Sequence, residues 1–444
     1  MADDRGRVGN SGSDNSGSES SHAETGGAEQ TGTVLTLSWK TCLAEVDRAA
    51  WNALAEPLTT PILEWEWLNR MEVSGSVAPE TGWQPCHLTV WVSEWSGPDA
   101  GGHGERLIAA APLYIKSHSA GEFVYDYMWA DAANQLGVEY YPKMVGVSPA
   151  TPAVGYRFLV APDVDEDRIT TIMLEEIDRF CRQHRIHGCS FLFVDPEWRA
   201  RVERFGYHSW LHQSYAWRNK GYDSFADYLA MFKKNQRRNI RRERMAMEDQ
   251  EIAIEPVTGD DIPQRFFPLM YHYYERTNAQ FGPWAAKYLT REFFEGLEED
   301  YRHRILFMAA YQRGGLRGPS LGAETPVGMS FLLTKKDVLI GRYWGAERKL
   351  DALHFNACYY SPIEWAIDHG VRIFDPGAGS PHKLRRGFEA VPNHSLHRFY
   401  DEKLKIVMEA YIARINSMEQ EQIQAMNEAI PFSSDTGSER LDRG

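Results

Sequence analysis

The chain has 444 residues, 43% hydrophobic and 12% aromatic, enough for a large core in two or three domains, which excludes wholesale disorder. Lys and Arg total 48 against 62 Asp and Glu, a net charge of −14, so non-specific binding of nucleic acid or anionic membrane is excluded unless the basic residues are gathered. No window reaches the roughly 18–20 apolar residues that span a bilayer, and the opening MADDRGRVGN lacks the apolar stretch of a signal peptide.

Residues 1–32 are Gly, Ser, Asp, Glu and Asn with almost nothing apolar, which predicts a flexible tail. Val34–Ser38 reads as a strand, followed by amphipathic helices around Leu43–Ala55 and Leu63–Val73. Strands are expected at His87–Glu94 and Leu107–Lys116, with Pro112 marking an edge or bulge. Glu122–Lys143, rich in Tyr and Trp, reads as irregular. A strand at Tyr156–Val160 leads to a helix capped by Asp165, with Ile169, Met173, Ile177 and Phe180 along one face. Short strands follow at Phe191–Val194 and Tyr207–Trp217.

A second series starts with one long helix over Asp223–Gln250. Then come a strand at Glu251–Val257, helices at Asp261–Asn278 and Thr290–Tyr301, and strands at Arg304–Ala310, Val327–Leu333 and Val338–Trp344. A helix over Leu353–His369, bent by Pro362, precedes a strand at Val371–Phe374, a glycine-rich turn, a strand at His394–Tyr400 and a helix from Asp401. Each series runs strand, two helices, two or three strands, helix, strand. The reading is α+β: tandem domains at 33–220 and 221–415, each a mixed, mostly antiparallel sheet flanked by helices, then a helix and flexible tail at 416–444. The order of elements resembles the N-acetyltransferase-type (GNAT) fold.

The sharpest chemical feature is Lys233–Arg244, with seven positive charges in twelve residues. Lys234, Arg237, Arg238, Arg241 and Arg242 share one helix face, where like charges repel unless a polyanion neutralises them. The bland alternative is a solvated face. The second feature is Phe374–Phe388, where Gly377 and Gly379 open a turn before His382, Lys383, Arg385 and Arg386. Its backbone amides suit an anion or oxyanion; the alternative is a surface turn. Third, Arg342, Tyr343 and Trp344 lie on a strand bounded by glycines, where alternation sets Tyr343 opposite its neighbours. Tyr360, on the next helix, is a proton-donor candidate. For both Tyr360 and the strand aromatics, core packing is the common fate.

Five scattered cysteines without CxxC argue against a disulfide framework and fit a reducing cytoplasm. His382, His394 and His397 have no H-E-x-x-H spacing or carboxylate pair, so no metal is expected. No G-x-S-x-G elbow occurs, and the best local match to a pyrophosphate loop, Arg313–Gly318, runs into Pro319.

In combination, Ala109–Ser119, Tyr127–Ala132, Trp217–Tyr222, Arg237–Arg244, Gly341–Gly345, Leu353–Phe355, Cys358–Tyr360 and Pro376–Phe388 resemble the FemAB-like branch of the GNAT superfamily, described as peptidoglycan biosynthesis or recognition proteins. The resemblance implies an acyl- or aminoacyl-transferase acting on an amine, with aminoacyl-tRNA or an acyl-CoA as donor, a cell-wall precursor as possible acceptor and no tightly bound cofactor. It places the family's lysine at Lys383 and its closing pair at Gly387-Phe388. It also exposes a departure: Gly379-Ser380-Pro381 stands where relatives tend to carry Gln-Gly-Glu, so a carboxylate is missing at Pro381.

The expected machinery is Lys383 with the Gly377–Gly379 amides for the oxyanion, Arg237, Arg238, Arg241 and Arg242 for donor phosphates, and Arg342 and Arg386 for further anionic groups. Tyr343 and Trp344 would line the cleft. Tyr360 is the candidate acid, and Asp131 and His382 the candidate bases. The rival readings are a non-catalytic module binding cell-wall precursors or RNA, and an acetyl-CoA-dependent enzyme. The transferase reading needs the arginine stripe and Lys383 to face a common hollow.

Overall fold

The computed structural model describes residues 20–22, 32–95, 105–282, 285–313, 325–379 and 381–433. The expected tails therefore lie mostly outside the described residues, although Ser20–His22 pairs with Leu35–Leu37. Most of the Arg313–Gly318 match also lies outside them.

Among the described residues the architecture is α+β, with a five-stranded and an eleven-stranded sheet. The larger sheet begins with Ile252–Thr258, Ile305–Gln312, Gly328–Lys335, Val338–Ala346 and Ile373–Asp375. It continues through His208–Arg218, Glu389–Phe399, Gly188–Phe191, Lys143–Gly146, Leu113–Lys116 and Trp83–Pro85. Most neighbours are antiparallel, and each series holds a short parallel pair: Met144–Gly146 with Cys189–Phe191, and Val338–Ile340 with Ile373–Asp375. His208–Arg218, from the first series, sits between two strands of the second, matched from His208↔His397 to Ala216↔Glu389 on one edge and Trp217↔Phe374 on the other. Glu389–Phe399 in turn pairs with Gly188–Phe191 of the first series.

Apolar packing spans both series. The Trp67 ring lies 5.2 Å from Phe293 and 6.5 Å from Phe331, and all three are buried. Lys335, wholly buried at the same boundary, pairs with Glu64 at 2.7 Å.

Local chemistry explains where elements differ from expectation. Asp47 accepts from the Ala50 amide at 2.8 Å, so the first helix restarts at Arg48 after a short 3-10 turn. Pro112 divides Glu105–Ala111 from Leu113–Lys116, as its missing donor requires. The segment expected to be irregular contains a helix, Tyr127–Gln135. Pro196–Glu203 is a helix the apolar pattern did not reveal, although Asp195 as cap and Pro196 at the first position announced it. Asn356–Tyr360 is a π-turn within the Leu353–Asp368 run, two to six residues before the donor-less Pro362.

The expected long helix over Asp223–Gln250 is two helices, Phe225–Ala230 and Lys234–Asp249. The cause is the chain's far end. Phe232 forms a β-bridge with Phe432, the Lys233 amide donates to the Pro431 carbonyl at 2.9 Å, and the Ser433 amide donates to the Met231 carbonyl at 2.8 Å. The Phe232 and Phe432 rings sit 5.1 Å apart. Phe432→Ala should therefore lower stability by about 1–2 kcal/mol, read as an earlier urea midpoint; an unchanged midpoint would remove the clasp from this account.

Candidate active site

The parallel pair Val338–Ile340 and Ile373–Asp375 ends after three matched residues, Val338↔Ile373 to Ile340↔Asp375. Beyond it no further residues are matched. Val338–Ala346 bulges at Arg342, with Gly341 matched to Leu332 but Tyr343 to Phe331. The other strand leaves through Pro376 and Gly377. Gly377 has φ 78, and a Cβ there would stand 2.9 Å from the Gly341 carbonyl oxygen, so only glycine fits this close approach. Gly379 has φ 143, and its missing Cβ would lie 3.1 Å from Lys383 Nζ.

The 3-10 turn Pro381–Arg386 carries Lys383 back against the glycine turn. Lys383 is 1% exposed. Its Nζ donates to the Gly377 carbonyl at 2.7 Å and the Ala378 carbonyl at 2.9 Å. An ammonium has three protons, and among the described residues the third has no hydrogen-bond acceptor. Burial lowers the pKa to about 8, partly offset by Asp375. The Asp375 carboxylate accepts from the Gly377 amide at 2.8 Å and from the Val154 amide, and feels both Lys383 and Arg342; burial raises its pKa. This corrects the oxyanion expectation in part. The Gly377 amide is committed to Asp375, and the turn offers Lys383 its carbonyls, so the ammonium rather than the Gly377 amide is the donor left for an oxyanion.

Arg386, 4% exposed, fastens the turn to the basic helix. It donates to both Glu243 carboxylate oxygens at 3.0 and 2.9 Å and to the His382 carbonyl at 3.0 Å. Its guanidinium lies 3.4 Å over the Phe355 ring. The Tyr360 hydroxyl also donates to Glu243. Tyr360 is wholly buried, and burial raises its pKa, so the phenol expected as an acid holds this cluster together instead. Gln236, on the same helix, donates to the Arg385 carbonyl at 2.7 Å.

His382 is half-buried, with Nε2 3.1 Å from the Tyr359 hydroxyl. Burial, then Arg386 and Lys383, lower its pKa to about 4, so it is neutral at pH 7.

Lys383, His382, Arg386, Gly377, Gly379 and Tyr360 thus come together. Arg342 joins through Asp375 and donates to the Ala150 carbonyl at 2.9 Å. The bulge corrects the alternation argument: Arg342 and Tyr343 are not on opposite faces, because the guanidinium lies 5.1 Å over the Tyr343 ring. Tyr343 packs against Phe331, Phe294 and Tyr274, whereas Trp344 packs beside His354. On the basic helix, Ile240, Ala246 and Met247 face the core. Arg237 is half-buried and donates to the Ala230 carbonyl at 3.3 Å. Arg238, Arg241 and Arg242 are exposed, with no carboxylate partner among the described residues. Asp131 is exposed on Tyr127–Gln135 and likewise unpaired. His394 and His397 hydrogen-bond serines, at 2.8 Å to Ser209 and 2.9 Å to Ser190, and among the described residues no His, Cys, Asp and Glu cluster could hold a metal.

Sequence reasoning assigned no role to Glu243 or Asp375, and it weighed Tyr359 only with Tyr360 as a proton donor. Glu243 carried a signal: it is the one acid in the run Lys233–Arg244.

The depressed lysine pKa has a thermodynamic consequence. Between pH about 8 and the ordinary 10.5, the unfolded chain holds a proton that folded Lys383 has released. Stability therefore rises with pH across that window, while below it the burial cost is present in full. Relative to Lys383→Met, the natural protein should gain unfolding free energy between pH 8 and 10, measured by urea unfolding; a constant difference would contradict the shift.

Several solved structures resemble the chain. FemX matches with TM-score 0.49 and 10% identity over 82% of this chain and 98% of its own. L-PGS from Bacillus licheniformis matches with TM-score 0.45 and 9% identity over 84% and 97%. A tandem GNAT protein from the clavulanic acid biosynthesis pathway matches with TM-score 0.40 and 13% identity over 82% and 98%. No curated protein matches. The model of the FemAB-like family, described as peptidoglycan biosynthesis/recognition, matches residues 42–434. The chain belongs to the FemAB-like family.

Proposed function

We propose that the chain is an acyl- or aminoacyl-transferase that moves an activated acyl group from a polyphosphorylated carrier to an amine. One observation carries the reading: a buried ammonium, Lys383, held by two carbonyls and lying 5.3 Å over the Tyr215 ring, with no acceptor for its third proton among the described residues. The amine nitrogen attacks the acyl carbon, and the carbonyl oxygen becomes an oxyanion beside Lys383 Nζ. A fixed charge in a dry site costs little reorganisation when that oxyanion forms. The nitrogen then loses a proton, the carbon–carrier bond breaks, and the carrier leaves with the electron pair. Pro381 stands where the resemblance placed a carboxylate, and neutral His382, with its pKa lowered to about 4, is a poor match for this proton, so the proton passes to the departing carrier. Arg238, Arg241 and Arg242 supply exposed positive charge for the carrier's phosphates, and Arg342 supplies a partly free guanidinium. Aminoacyl-tRNA and acyl-CoA both fit as donors, and the family description favours a cell-wall precursor as acceptor.

Lys383→Ala should lower kcat by about 10²–10³-fold with little change in donor affinity. In the natural protein kcat should fall as pH rises through about 8, because Lys383 must be protonated to hold the oxyanion. Single-turnover transfer and donor binding, measured together, test this. Binding that persists with no turnover in the natural protein would favour a recognition module instead.

A further inference from the structure

The stretch 147–155 of the first series has no regular secondary structure, is buried along most of its length and meets the site twice. Ala150, held at φ 49, gives its carbonyl to Arg342 at 2.9 Å, while its amide donates to the Gly121 carbonyl at 3.2 Å. The Val154 amide donates to the Asp375 carboxylate, which also accepts from the Gly377 amide at 2.8 Å. Gly377 in turn offers its carbonyl to Lys383 Nζ at 2.7 Å. Asp375 thus joins the first series, the glycine turn and the lysine. Among the described residues it forms no direct ion pair, so its charge acts on Lys383 through space.

We propose that Asp375 is a positioning residue for the transfer: it ties the Lys383 turn to residues 147–155, and its negative charge keeps Lys383 in the protonated form that an oxyanion needs. Its part in transfer rests on the transferase reading; its hold on the lysine does not. Burial and Asp375 act on Lys383 in opposite directions and leave its pKa at about 8. No other group facing Lys383 replaces that negative charge. Burial raises the pKa of Cys358 and of Tyr215, so both are neutral there. His354 and His382, each lowered to about 4, are neutral at pH 7, and Arg386 and Arg342 are cations. Around Asp375 itself, two backbone amides, Lys383 and Arg342 favour the ionised carboxylate against its burial.

Urea unfolding of the full chain as a function of pH tests the hold on the lysine without any turnover. The natural protein, Lys383→Met, Asp375→Asn and the double variant are compared. With Asp375 present, the difference made by Lys383→Met should begin to change near pH 8. With Asp375→Asn the onset should move at least about one pH unit lower, as expected when an opposite charge is removed. Asp375→Ser, which keeps a hydroxyl acceptor for the Gly377 amide, should repeat the shift if the first variant does not fold. An unmoved onset in a folded variant would overturn the inference. In single-turnover transfer, the pH at which kcat falls should drop by the same amount; a uniform loss of rate with no shift would reduce Asp375 to a structural part and overturn its positioning role. An unmoved onset in a protein that turns over defeats this inference and spares the transferase; a moved onset without turnover does the reverse.

Discussion

The site depends on one buried guanidinium. Arg386 holds the Lys383 turn against the basic helix through Glu243, and Tyr360 spends its hydroxyl on the same carboxylate. A buried charge persists only when paired and hydrogen-bonded. Removing any member strands the others, so the turn and the helix are positioned together.

Buried lysines meet two fates in this fold, and Lys116, which donates to the Ala120 carbonyl at 3.1 Å and has its pKa lowered to about 7, shares that of Lys383. Lys143, equally buried, meets Glu122 at 2.8 Å and also Asp126, and those carboxylates raise its pKa despite burial. Lys383 meets carbonyl dipoles instead and shifts the other way. A fold that neutralises Lys143 with two carboxylates leaves Lys383, like Lys116, to backbone carbonyls. Such a concession to function is where local stability rules are expected to break.

Much of this was legible in the sequence. The apolar periodicity located most strands and helices, and the departures trace to signals of another kind. The basic helix begins at Lys234 because Phe432, some two hundred residues away, claims Phe232; no local pattern carries that information. The site was legible in composition and not in geometry. Lys383, Arg386 and the glycines stood out, but the bulge that turns Arg342 onto the side of Tyr343 is set by its partner strand. The fate of Tyr360 depended on Glu243, more than a hundred residues earlier. Side chains whose roles come from distant partners are invisible to spacing arguments.

The most direct measurement is the structure of the protein with an unreactive acyl-nucleotide bound. The account predicts one ligand whose phosphates meet the exposed arginines of Lys234–Asp249 and whose acyl oxygen accepts from Lys383 Nζ. A ligand that engages those arginines while its acyl group lies away from Lys383 would contradict it.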